Sequence, residues 1–254
     1  YFNGTQSINY GVKKIHKTHK DNYTNILPVY PIGDLKKSTK THSYMDKAIQ
    51  KGSIVIQEHS MKIKGKEYCK WIDENYLMVG KGYFYKGDFD EAITTFSFIK
   101  NEYEKNQIYF DASLWLVRSF IEKNNLVAAE MELQSTVKNK KLPKRLKKEI
   151  CLISAELFLK KKDFLKEKKE LNKATQLIKR NKNKIRVNYI LAQIYQAEKN
   201  YSLAQKHYKK VIRSNPDYEM TFNAKINLAR SLEKNSSDSK KMKDKLLKMI
   251  KDDK

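Results

Sequence analysis

Five residues at a nearly constant interval constrain this chain more than anything in its composition. Tyr83, Phe120, Phe158, Tyr195 and Leu232 follow one another at spacings of 37, 38, 37 and 37. Three residues before each stands Gly80, Val117, Ala155, Ala192 or Ala229, four of the five small. A second series runs behind the first: Ala92-x3-Phe96, Ala129-x3-Leu133, Glu167-x3-Leu171 followed by Ala174, and Ala204-x3-Tyr208. A period of this size marks stacked supersecondary units, each too small to bury its own apolar face. The alternation of small and large residues three or four apart is helical, since those positions share one helix face.

The strongest copies are Tyr76-x2-Val79-Gly80-x2-Tyr83 with Ala92-x3-Phe96, and Leu191-Ala192-x2-Tyr195 with Ala204-x3-Tyr208, closed by Pro216. This is the spacing of the tetratricopeptide helix pair. Small residues let paired helices approach, and the large ones fill the space beside them. Lys86-Gly87-Asp88-Phe89, Lys162-Asp163-Phe164 and Lys199-Asn200-Tyr201 supply the turn within a pair. The period exceeds the usual 34 residues of this repeat, so connections between repeats are expected to be longer, as at Lys138 to Lys144 with Pro143. The fold class expected is all-α, a right-handed α-solenoid of about five such pairs with an N-terminal helical cap. Residues 1–65 form the cap, with helices near Thr5–Lys20 and Ser43–Ser60 joined by a loop through Pro28 and Pro31. Residues 66–254 form the repeats, at about 66–106, 107–142, 143–180, 181–216 and an incomplete 217–254. Strand-type alternation flanking Asn-Gly or Asp-Gly hairpin turns is missing, so strands are not expected. Met242, Leu246, Met249 and Ile250 make a last apolar stripe with nothing behind it, from which a continuing natural chain is expected.

The net charge is +24, from 53 basic and 29 acidic residues, but only six of the basic residues are Arg. Phosphate recognition by forked donors favours Arg, so a Lys-dominated excess reads mainly as solvated surface, and nucleic acid is not the expected partner. The excess is +8 over residues 1–70, zero over 71–146 and +16 over 147–254. No stretch nears the ~20 apolar residues that a membrane-spanning helix needs.

Chemistry has few footholds. Gly80-Lys81-Gly82 has neither a preceding strand nor the spacing of a phosphate loop, and reads as helix packing. His16 and His19 lack a third ligand at suitable spacing, and His42, His59 and His207 stand alone. Cys69 and Cys151, each on an apolar helical face, read as buried thiols rather than a disulfide. No catalytic residue, metal, cofactor or small-molecule substrate is expected. What remains is a surface: the inner face of the first helices, where Lys81, Phe84, Arg118, Ile121, Glu156, Tyr189, Gln193, Gln196 and Arg230 are expected to form an exposed protein-binding stripe. Leu77 and Leu114 stand where a carboxylate clamp of the co-chaperone kind needs basic residues, which argues against that function.

Longer strings are more specific than the repeat. Tyr1-Phe2-Asn3-Gly4, Asp21-Asn22-Tyr23 through Leu27-Pro28-Val29-Tyr30-Pro31, Met45-Asp46-Lys47-Ala48-Ile49, Glu67-Tyr68-Cys69-Lys70-Trp71-Ile72-Asp73, and Asn215-Pro216-Asp217-Tyr218-Glu219-Met220 through Asn223–Arg230 resemble the N-terminal region of the PorW/SprE proteins, tetratricopeptide lipoproteins of the Bacteroidota. The resemblance implies a periplasmic protein anchored to the outer membrane by a lipidated Cys upstream of Tyr1. It also implies protein partners within the type IX secretion and gliding motility machinery, between the outer-membrane translocon and the trans-envelope complex. That family's motif defines no catalytic or ligand residues.

Overall fold

The structure, a computed structural model, describes residues 1–179 and 182–232. The stripe at Met242–Ile250 lies outside the described residues. The described chain divides into two compact units, one of residues 1–20 and 30–161, the other of residues 21–29 together with 162–179 and 182–232. In the first unit α1 (Phe2–Thr18) and α2 (His42–His59) precede the repeats, followed by the short strands β1 (Lys62–Ile63) and β2 (Lys66–Glu67). The helices α3 (Ile72–Lys86), α4 (Phe89–Glu102), α5 (Ile108–Glu122), α6 (Leu126–Lys138) and α7 (Lys147–Lys160) complete it. The second unit contains α8 (Phe164–Leu177), α9 (Lys182–Ala197), α10 (Tyr201–Arg213) and α11 (Tyr218–Arg230). The architecture is that of an all-α solenoid. Among the described residues the antiparallel hairpin β1–β2 is the one sheet. Its turn is Lys64-Gly65, both at positive φ (48° and 76°), the backbone that a two-residue hairpin demands. Gly alone supplies half of that requirement, so a search for Asn-Gly or Asp-Gly passes it over.

The 37-residue period is written in the backbone at the turn inside each pair. Gly87, Asn124, Lys162 and Lys199 adopt left-handed φ of 91°, 60°, 59° and 59°. The next residue, Asp88, Asn125, Asp163 or Asn200, starts the second helix at φ −84° to −90° and ψ 71° to 73°. The turns after Tyr83, Phe120 and Tyr195 close the same way. The amide of Asp88 donates to the Tyr83 carbonyl at 3.0 Å, that of Asn125 to Phe120 at 2.9 Å, and that of Asn200 to Tyr195 at 2.8 Å. The periodic aromatic anchors are therefore also the acceptors that end each first helix. Side chains of Asn125, Asp163 and Asn200 then cap the second helix by accepting from the amide three residues on.

The small residues act as close-approach points. A methyl group on Gly80 would sit 2.5 Å from the Phe96 ring, and one on Gly82 would sit 2.7 Å from Ile49. Ala92, Ala129 and Ala204 are fully buried on the second helices. First helices carry long buried runs, Phe110 and Ala112–Leu114 then Leu116–Ser119 in α5, and all nine residues Arg186–Ile194 in α9. A helix buried all round must be covered on every side, and in both units part of the cover is not helical. Tyr68 and Cys69 precede α3 rather than lying on it: Glu67 holds this turn by accepting from Ser60 Oγ (2.5 Å) and from the amides of Met61 and Cys69 (both 2.9 Å). Cys69 is accordingly half-exposed, whereas Cys151 is buried, and the two form no disulfide.

Candidate functional site

In each unit a part of the non-helical segment between α1 and α2 lies on first helices. The stripe expected to face solvent there is instead largely covered. Phe84 and Tyr189 are 0% exposed, Ile121 2%, Glu156 4%, Arg118 7% and Gln193 8%; Lys81 and Gln196 are half-buried, and Arg230 alone is exposed. The helical register that points these residues inward carries no information about what lies over them.

In the first unit the cover is Tyr30, Ile32 and Leu35, which join the core formed by α1–α5. The Arg118 guanidinium sits 4.3 Å from the Tyr30 ring centre, 4.2 Å from Trp115 and 4.9 Å from Phe84, a cation caged by three aromatic faces. Tyr30 donates its hydroxyl to Glu149 at 3.2 Å. Burial, reinforced by the Glu149 charge, pushes the Tyr30 phenol well above its ordinary value, so it remains a donor. Lys81 also lies over Trp115, with Nζ 5.2 Å from the ring centre. Its burial holds the ammonium below the usual lysine range, an effect that Asp111 and Glu149 oppose. Ile121 packs in a second cluster with Phe110, Leu114, Leu133 and Leu157.

In the second unit residues 21–29 lie on α9. The Arg186 fork grips the Asp21 carboxylate with two bonds of 2.7 and 2.8 Å while its Nε donates to the Pro28 carbonyl at 2.8 Å. Both side chains of that pair are only about a tenth exposed, 10% and 11%. Gln193 uses both ends of its amide. Its oxygen accepts from the Leu27 amide at 2.9 Å, and its nitrogen donates to the Asn25 carbonyl at 2.6 Å and more loosely to that of Tyr23 at 3.4 Å. Tyr23 meets Tyr189 edge-on at 5.3 Å, and Leu27 is 0% exposed. Behind them Tyr189 accepts from Asn227 at 3.1 Å and packs on Tyr208, whose hydroxyl donates to Gln196 at 2.7 Å. His207, isolated in the sequence, is buried against Asn188 at 2.9 Å and stacked on Tyr195 at 5.5 Å. Burial, with Lys210 and Lys206 adding to it, lowers its pKa to about 4.

Thus Lys81, Phe84 and Arg118 come together around Trp115, and Tyr189, Gln193 and Gln196 come together in the second unit. Asp21, Tyr23, Leu27, Tyr30, Trp115, Glu149 and Arg186 are parts of this arrangement that periodicity does not single out. One signal was available: Ile26-Leu27, Val29-Tyr30 and Ile32 place apolar residues in a Pro-punctuated stretch with no helical period, and such residues need a groove to fill.

Residues 185–218 match the family model of the tetratricopeptide repeat. Among solved structures, the chain is similar to the MamA protein, 18% identical over 72% of this chain and 90% of that one at a TM-score of 0.52. It is also similar to BtubC (BKLC) from P. vanneervenii, 11% identical over 86% and 88% at 0.56, and to the apo form of RapI, 13% identical over 85% and 61% at 0.55. At these identities the likeness is one of fold. No curated protein sequence matches the chain. Repeat and fold together support a protein-interaction scaffold, and no catalytic family is indicated. Among the described residues no group of three metal-ligating side chains gathers, and no helix is long and apolar enough to cross a membrane.

Proposed function

We propose that this chain is a non-enzymatic protein-interaction scaffold of the type IX secretion and gliding motility machinery. It docks other subunits of that machinery and links the outer-membrane translocon to the trans-envelope complex. The scaffold part rests on one observation: the inner faces of the repeats hold an extended stretch of polypeptide through directed side-chain contacts, most completely at Arg186 and Gln193. The placement in secretion rests on the strings quoted above, which resemble PorW/SprE proteins. With it comes a periplasmic location and an outer-membrane anchor through a lipidated Cys upstream of Tyr1.

The test is affinity capture of the full-length protein from cross-linked cells of its own organism, read by mass spectrometry. Recovery of translocon and motor subunits is expected. Recovery of RNA-associated proteins, or of no envelope protein, would overturn the secretion role. The excess of +16 over residues 147–254 makes binding to nucleic acid the reading to separate. Such binding falls with salt at a log–log slope of about −0.9 per phosphate contacted, whereas docking through one buried ion pair and neutral contacts falls far less.

A further inference from the structure

Residues 21–29 are bound to the second unit as a peptide is bound to a receptor. Side chains hold them, not a backbone ladder. Within the segment there is a local turn around Asn22, whose side chain accepts from the Thr24 amide (3.1 Å) and hydroxyl (2.6 Å). Three residues of α9 fix it to the unit. Arg186 reads one carboxylate, Tyr189 one aromatic ring, and Gln193 the main chain on either side of Ile26. Leu27 and Val29 point into apolar burial, at 0% and 7% exposure, while Asn22, Thr24 and Asn25 face solvent. Pro28 holds Leu27 in the extended conformation that presents its amide to Gln193.

We infer that this face of α9 is a peptide-binding groove and that Asp21–Val29 is a plug occupying it in cis. The partner that displaces the plug is an extended protein segment of the same chemistry: a carboxylate, an aromatic residue two positions on, and Leu-Pro beginning six positions after the carboxylate. The inference deepens the scaffold reading and rests on it. The physical case is one of exchange. Main-chain bonds to Gln193 and the fork to Asp21 are all made with groups that any peptide of this pattern supplies, so replacement leaves no buried polar group unpaired. The plug's advantage is tethering, which sets its effective concentration in the millimolar range, so a partner needs that advantage weakened or must be linked nearby itself.

The test uses the full chain and a fluorescent peptide of residues 20–30, with binding read by anisotropy. Wild type is expected to bind weakly, and the doubly substituted chain Asp21→Ala/Leu27→Ala at least ~10-fold more tightly, because its groove is open. Adding Arg186→Ala, or changing the peptide's Asp to Asn, is expected to cancel that gain. Equal binding to wild type and the substituted chain, or no binding to a substituted chain that retains its helical circular dichroism, overturns the inference. If the substituted chain fails to fold, hydrogen exchange in wild type decides. The Leu27 amide is expected to exchange faster than those of Ile190 and Leu191, by opening without unfolding, and equal protection overturns the plug. Failure of the peptide to bind while cross-linking still recovers envelope partners sinks the plug alone. Peptide binding with no envelope partner recovered sinks the secretion role alone.

Discussion

The two units grip neighbouring stretches of one segment by different physics. The first holds Tyr30, Ile32 and Leu35 mainly through apolar packing and a cation enclosed by aromatic faces, with a directed bond from Tyr30 to Glu149 and a looser one, 3.4 Å, between the His42 ring and the Leu35 carbonyl. The second holds residues 21–29 through a forked ion pair and three contacts from one amide. Apolar packing is proportional to area and tolerates residues of similar shape, whereas hydrogen bonds specify donors, acceptors and chain direction. The first grip therefore supplies adhesion, and the second supplies selectivity.

The largest expected effect breaks the apolar side. Phe84 is fully buried and meets the rings of Tyr85, Phe89 and Trp115 at 5.3, 5.7 and 5.2 Å. Phe84→Ala should cost about 3–5 kcal/mol in urea denaturation and loosen Arg118 from its cage. If the Tyr30 region keeps its protection from hydrogen exchange in this variant, the cage is not what holds it. On the polar side, Gln193→Leu conserves most of the volume but strips partners from the Leu27 amide and the Asn25 carbonyl. The expected cost is about 1–3 kcal/mol. A neutral result would show that water replaces Gln193 and that the second grip is less selective than its geometry.

A third prediction turns on pH and belongs to the second unit. The His207 pKa is lowered from 6.5 to about 4, chiefly by burial. Between those values the unfolded chain binds a proton that the folded chain refuses, so stability falls as pH drops from about 6.5 towards 4 and then levels off. Discounted for partial solvent access, the loss should be on the order of 1–2 kcal/mol. It should disappear in His207→Gln, read as the pH dependence of the second unit's denaturation. An unchanged pH profile in that variant would assign the titration elsewhere.

What was legible in the chain follows from the range of each interaction. The anchors Tyr83, Phe120 and Tyr195 specify helix ends because their carbonyls are met five residues later, and Gly80 specifies close packing because Phe96 is sixteen residues on. Such local partners recur with the repeat, so periodicity reveals them. The partners of Arg186 and Gln193 lie more than 150 residues away in a stretch with no period, and periodicity is silent about them. Inward orientation could be read for Arg118, Tyr189 and Gln193, but exposure could not, because exposure depends on what lies opposite. The hairpin at Lys64-Gly65 stayed hidden for a different reason: two paired residues on each side leave no alternation to detect.

The smallest expected effect compares the same turn in the two units. Asn200 and Asp88 occupy equivalent positions with nearly identical backbone, φ −84° in both and ψ 72° and 71°. Asn200 caps α10 by accepting from the Leu203 amide at 3.3 Å. The Asp88 carboxylate makes no cap bond and turns to Lys86 at 3.1 Å, a pair exposed enough to contribute little. Asn200→Ala should therefore cost about 1 kcal/mol in thermal or urea denaturation, and Asp88→Ala only a few tenths, roughly the worth of a surface ion pair. Equal costs would mean that backbone geometry, shared by both turns, rather than the side-chain cap sets their stability. The repeats would then differ in what they hold and not in how they are built.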